Sequence, residues 1–211
     1  GGLEKKNKLV SKQERETVAY HEAGHATVSW MLEHAAPLLK VTIVPRGRSL
    51  GAAWYLPEER QLTTKEQIFD EMCVAMGGRA AEELIFKKVT TGALSDLEKI
   101  TKQARAMIAF FGLNDKIGNV TFYDSSGQDS PFTKPYSEHT AKLIDEEIKK
   151  ITTEAYNRAK KILTKHKKAL ISLSELLLEK EVIFKQDVEN ILGKRKWKEV
   201  ERIRVNKIKK K

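Results

Sequence analysis

Residues 20–26 read YHEAGHA, two histidines four positions apart with a glutamate directly after the first. On an α-helix four residues turn through about 400°, so His21 and His25 leave the same face one turn apart. Two imidazoles so placed can bind one Zn²⁺ at about 2.0–2.1 Å each. Glu22 is turned about 100° from His21, near enough to reach a metal-bound water without ligating the ion, and can take its proton as a general base. Val18, Val28 and Leu32 continue the face of the histidines, which is therefore expected to be buried. Gly24, between the histidines, costs a helix about 1 kcal/mol relative to Ala, which fits a close approach by another backbone.

Around this stretch the chain reads as mainly α with a minor sheet. Helix-favouring residues span 13–34, and Pro37 follows. The β-branched run 38–45 and the stretch 49–57 are expected to form a small hairpin or adjacent strands. Thr64 and Gln67 predict a capping box opening a helix that runs to about Phe86. Its Gly77-Gly78 pair suggests close helix–helix contact, against the histidine helix. A third helix is expected from near Ser95 to Gly112, a short strand at 117–123 and an exposed loop at 124–137. From Ser137 a long helix carries Ile144, Ile148, Ile151, Ala155, Ala159 and Ile162 as one apolar stripe. Two further helices, 167–180 and 184–192, are separated by KEVIFK.

Composition narrows the function classes. Cys73 is the single cysteine and sits among apolar residues, so it reads as a buried structural thiol, and internal disulfides are excluded. The net charge of +10 suggests a nucleic-acid binder until it is located: residues 194–211 hold ten Lys and Arg against Glu199 and Glu201. That surplus of eight leaves about two for the remaining body, so the basic tail reads as a solvated end, and no specific nucleic-acid partner is expected. No apolar run approaches the roughly 18–20 residues that span a bilayer.

The residues alone leave the third metal ligand open. In GGRAAEE, Glu82 and Glu83 can both face inward by periodicity, as rival ligands or as partners that orient a ligating imidazole. Ser95 and Glu98 predict a capping box that puts Asp96 in the first turn of its helix, where a carboxylate already complements the helix dipole.

Several blocks in register carry a resemblance. TVAYHEAGHATVSWMLEHAAPLLKVTIVPRG, LGAAWYLPEE, GGRAAEELIF, TTGALSDLEKITKQARAMI, FGLNDKIG and KPYSEHTAKLIDEEI follow one another over about residues 13–195. The chain thereby resembles the proteolytic domain of the FtsH family, the membrane-anchored, ATP-dependent AAA zinc proteases of peptidase family M41. The resemblance implies a mainly α zinc-metalloprotease domain with a small sheet or hairpin bordering the active cleft. It implies Asp96 as the third ligand of one Zn²⁺ per chain beside His21 and His25, with Glu22 as general base. Glu82 and Glu83 then read as partners that orient a ligating imidazole or support the structure around it. It also implies that the strand holding Gly51, Ala52, Ala53 and Trp54 pairs with an extended substrate, where the small side chains leave room. His34, His139, His166 and Trp197 receive no role.

The implied enzyme is a zinc metalloendopeptidase that hydrolyses unfolded or membrane-extracted proteins. No Walker A motif is present, so ATP use is expected of an AAA domain outside this sequence. Residues 1–13 are then a linker remnant, 14–195 the metallopeptidase domain and 196–211 a flexible tail. In the full-length protein a homo- or hetero-hexamer is expected, attached to the membrane by segments outside this soluble sequence. It would lie at the cytoplasmic face of a bacterial inner membrane, or alternatively at the mitochondrial inner membrane. The alternative function is a catalytically silent assembly or chaperone scaffold that keeps the fold. An intact Glu22 argues against it.

Overall fold

The computed structural model describes residues 11–45, 50–56, 62–123 and 135–197. Six helices and a three-stranded sheet follow one another as α1 (Lys12–Trp30), β1 (Leu38–Thr42), β2 (Ala52–Tyr55), α2 (Lys65–Phe86), α3 (Leu94–Arg105), α4 (Glu138–Lys165), α5 (Lys167–Lys180), β3 (Val182–Phe184) and α6 (Lys185–Leu192). This is the mainly α architecture with a small sheet that the sequence implies.

Helix α1 starts at a reciprocal cap: the Glu14 N–H donates to Ser11 Oγ at 3.1 Å, and the Ser11 N–H to Glu14 Oε2 at 2.9 Å. It ends at Trp30, four residues short of the expected boundary. Just beyond this end the Arg195 guanidinium, from far along the chain, donates to the carbonyls of Leu32, Glu33 and Ala35 at 3.0, 3.3 and 2.5 Å, which satisfies these groups in the non-helical turn. His34 likewise lies beyond the helix, its N–H donating to Asp70 Oδ2 at 3.1 Å.

Helix α2 has the predicted Thr64–Gln67 capping box and packs along α1. The contact is backbone to backbone. A Cβ at Gly24 would meet the Gly77 carbonyl oxygen, and one at Gly77 would lie 2.8 Å from the Gly24 carbonyl oxygen. Helices α4 and α5 close the core over this pair with Ala155, Ala159, Leu163, Leu170, Leu173 and Leu177, all fully buried. Cys73 is buried in the same core, and burial pushes its thiol up to about 12.

The sheet has the order β2-β1-β3, antiparallel throughout, with Lys40 opposite both Trp54 and Phe184. β3 falls inside the KEVIFK stretch that reads as a mere separator; three residues suffice because β1 supplies its partner. The strand expected at 117–123 does not form. Instead the Phe122 N–H donates to the Ala109 carbonyl at 2.8 Å, tying the segment to a π-helical turn (Ala106–Phe110) that continues α3. The expected loop at 124–137 lies mostly outside the described residues, as do residues 1–10 and 198–211.

Candidate metal centre

His21 and His25 project from the buried face of α1 towards α2 and the start of α3. Each ring is held through Nδ1. His21 donates from Nδ1 to Glu82 Oε1 at 2.7 Å, and His25 donates from Nδ1 to the Val74 carbonyl at 2.8 Å. A carbonyl can only accept, so in the neutral form of His25 the proton sits on Nδ1 and Nε2 keeps a lone pair. The same holds for His21 in its neutral form against a carboxylate. Both Nε2 atoms then point at one spot, 3.0 Å apart, where Asp96 Oδ2 joins them at 3.3 Å from His21 and 3.5 Å from His25.

Those three distances test the fit to a metal. A regular tetrahedron with zinc–ligand bonds of about 2.05 Å has edges of about 3.3 Å. The observed triangle matches three of its corners, and two imidazoles with one carboxylate suit zinc. Three lone-pair donors at such spacing repel one another unless a metal ion, or a proton on one ring, lies between them. The electrostatics say the same. Burial works to lower the His21 pKa, but Asp96 and Glu82 on either side outweigh it and raise it to about 10. Burial works to raise the Asp96 pKa, and the two imidazoles nevertheless hold it well below the carboxylate range. The Asp96 side chain is 26% exposed against 11% and 9% for the histidines, so the site meets solvent on the Asp96 side.

Glu82, 1% exposed, accepts twice: from His21 Nδ1 and, at Oε2, from the Thr90 N–H at 2.7 Å. Burial raises its pKa, but these two donors hold it below the usual carboxylate range. Thr90 in turn caps the 3₁₀ turn (Thr91–Ala93) that runs directly into α3. Asp96 therefore sits in the first turn of α3 as expected, but the Ser95–Glu98 box does not form. The helix has already begun at Leu94, and Glu98 pairs with Lys102 at 2.6 Å. Glu83 is turned away from the site: it accepts from Tyr156 Oη and, at 3.0 Å, from Lys160 Nζ on α4.

Glu22 is 7% exposed and lies against the sheet. Burial raises its pKa, the two histidines lower it, and the Ala53 backbone N–H donates to its carboxylate. Gly51 and Ala53 thus flank Glu22, while Trp54 faces outward, 38% exposed, with Lys40 Nζ 5.4 Å from its ring centroid. β2 is an outer strand, with β1 its only neighbour among the described residues. Sequence reasoning missed Val74, whose carbonyl acts irrespective of its side chain, and Thr90, whose contact with Glu82 depends on the turn after α2. It also missed Gly78, where a Cβ would fall 2.5 Å from ring atoms of His21. The Gly77-Gly78 pair was the available signal, but only Gly77 serves the helix contact.

A buried His-Glu-His helix joined by a carboxylate from a later helix defines a class, the metallopeptidase domains. Comparison with known proteins places the chain more closely. The sequence model of peptidase family M41 matches residues 8–191. The chain is 62% identical over 197 residues to the ATP-dependent zinc metalloprotease FtsH of Parabacteroides distasonis, covering 93% of this chain and 29% of that protein. It is 55% identical over 193 residues to the protein of the same name from Karelsulcia muelleri, covering 91% and 31%. To the mouse mitochondrial inner membrane m-AAA protease component AFG3L2 it is 50% identical over 199 residues, covering 94% and 25%. The chain belongs to peptidase family M41, and it spans about three tenths of the length of its bacterial relatives.

Proposed function

We propose that the chain is the zinc-dependent endopeptidase domain of an FtsH-type ATP-dependent protease. The observation that carries this reading is the convergence of His21 Nε2, His25 Nε2 and Asp96 Oδ2 at tetrahedral spacing while both Nδ1 atoms donate outward. In this reading the three atoms hold one Zn²⁺, which when bound lowers the pKa of a water and polarises the scissile carbonyl. Glu82 and the Val74 carbonyl keep the rings aimed, and the Glu82 charge strengthens the basicity of His21. Glu22 takes the proton of the attacking water at its carboxylate and passes it to the leaving amine. Its burial keeps its proton affinity nearer neutral pH, as a general base requires. The free side of β2 holds the backbone of an extended substrate by strand addition, which captures unfolded chains with little sequence selectivity.

The longer protein would supply the ATPase, the membrane attachment and a hexameric ring. Among the described residues no helix is long and apolar enough to cross a membrane. The higher identity to the bacterial relatives supports the cytoplasmic face of a bacterial inner membrane over a mitochondrion. Elemental analysis of the purified chain tests the metal site. About one zinc per chain is expected, weakened in Asp96→Ala. A chain that takes up no zinc on reconstitution would refute the reading and leave the silent scaffold.

A further inference from the structure

We propose that Gly51 is a positioning residue for the general base: the space its missing side chain leaves is where Glu22 lies. The proposal rests on the reading of Glu22 as the base and goes beyond the substrate-strand role of residues 51–54. A Cβ built on Gly51 would fall 2.8 Å from Glu22 Cγ and 2.9 Å from Glu22 Oε1, with Val18 Cγ1 also at 2.9 Å. These are closer than carbon atoms pack. The backbone of Gly51 lies outside the left-handed region, so conformation does not explain the glycine. Room for substrate does not explain it either. Gly51 is buried, whereas Ala52 and Ala53, which do carry a Cβ, are the partly exposed residues of the strand.

Gly51 directly precedes β2, which is registered on β1 through Ala52 opposite Thr42 and Trp54 opposite Lys40. Helix α1 is pinned from behind, because Gly24 already touches the backbone of Gly77 on α2. The atoms a methyl group at 51 would meet are side-chain atoms of Glu22 and Val18, so the methyl displaces the Glu22 carboxylate from its place beside Ala53. The metal ligands are not in that path. His21 has a separate seat at Gly78, whose Cβ would strike the imidazole ring. The structure thus assigns one glycine to the base and another to a ligand, and the two should separate in experiment.

The test compares Gly51→Ala and Gly78→Ala in the whole chain, measuring zinc affinity, peptide hydrolysis and thermal stability. Zinc affinity is read by competition with a chelator, and turnover with an unstructured fluorogenic peptide. Gly51→Ala is expected to keep one zinc at wild-type affinity and an unchanged KM, while kcat falls roughly 10²-fold or more, the share a general base supplies. Gly78→Ala is expected to lose zinc. The deciding measurement needs neither zinc nor turnover: Gly51→Ala lowers Tm in the wild-type background, and most of that loss disappears in Glu22→Ala. Equal Tm losses in both backgrounds would overturn the proposal, since Gly51 would then serve the strand alone. An unchanged kcat, or zinc loss in Gly51→Ala, would overturn it as well. If Glu22→Gln itself keeps full turnover, Glu22 is not the base, and the Tm cycle still decides separately whether Gly51 seats it.

Discussion

Replacing Glu82 by Gln keeps the shape and removes one acceptor, which makes it a sharp probe of the site. The carboxylate accepts from two N–H groups, His21 Nδ1 at 2.7 Å and Thr90 at 2.7 Å. A carboxamide can accept at its oxygen only, so its NH₂ must face one of these donors. Whichever way it turns, one charge-assisted hydrogen bond is lost in a buried place and an N–H is left without a partner. Such a loss costs about 1.5–3 kcal/mol. If the loss falls on His21, it weakens zinc binding about 10–100-fold, the usual range for a group that orients a ligand, or about 1.4–2.7 kcal/mol. If it falls on Thr90, the turn carrying Asp96 loosens, and affinity falls by the other route. Zinc Kd from chelator competition, measured beside the Tm of the metal-free protein, reads both. Glu82→Gln with wild-type zinc affinity and wild-type Tm would refute the double-acceptor argument.

Two further outcomes follow from the same geometry. Because Asp96 and Glu82 raise the His21 pKa to about 10, metal-free protein gains stability from this proton that is complete below the unfolded value of about 6.5 and fades as pH rises towards 10. Zinc must displace that proton, so binding at pH 7 should release close to one proton and tighten with rising pH; calorimetry in buffers of different ionisation enthalpy measures it. Gly24→Ala places a methyl group on the Gly77 carbonyl and should destabilise the chain by about 1–3 kcal/mol or more, read by denaturant titration.

What could be read from the sequence was what neighbours along the chain decide. The helical spacing of His21 and His25, the Thr64–Gln67 cap and the Ile144-to-Ile162 stripe are local patterns, and each lies on a helix as expected. Failures came where something outside the local pattern took over. Helix α1 stops four residues early, and Arg195, far along the chain, takes the carbonyls of Leu32, Glu33 and Ala35 just beyond its end. The Ser95–Glu98 pair matches a cap by spacing, yet the preceding 3₁₀ turn had already started the helix. β3 is three residues long and exists only against β1. Asp96 was indicated by the family resemblance; the physics of its own segment accounts equally well for a dipole-facing carboxylate. Periodicity could not separate Glu82 from Glu83, because adjacent residues differ by only about 100°, and which one meets His21 depends on how α2 rolls against α1.

The roll of α2 explains why the site should survive without its metal. Val74, Gly77, Gly78, Ala81 and Glu82 recur at helical spacing on one face of α2, and each meets the histidine helix or its side chains. This face holds His25 with a carbonyl and seats the His21 ring in the gap at Gly78. It brings the backbones together at Gly77 and fixes His21 from beyond with Glu82. A core of Met72, Ile100, Leu163 and Leu173, all fully buried, stands behind it and needs no ion to form. Loss of zinc is therefore expected to leave the fold standing, unlike in small metal-dependent domains. Chelator-treated protein should keep its helical circular dichroism and a cooperative transition, with its stability lowered only by the linkage free energy RT ln(1 + [L]/Kd) at the free zinc concentration of the loaded sample. A chain that unfolds outright on losing zinc would show that the α1–α2 face does not hold the ligands by itself.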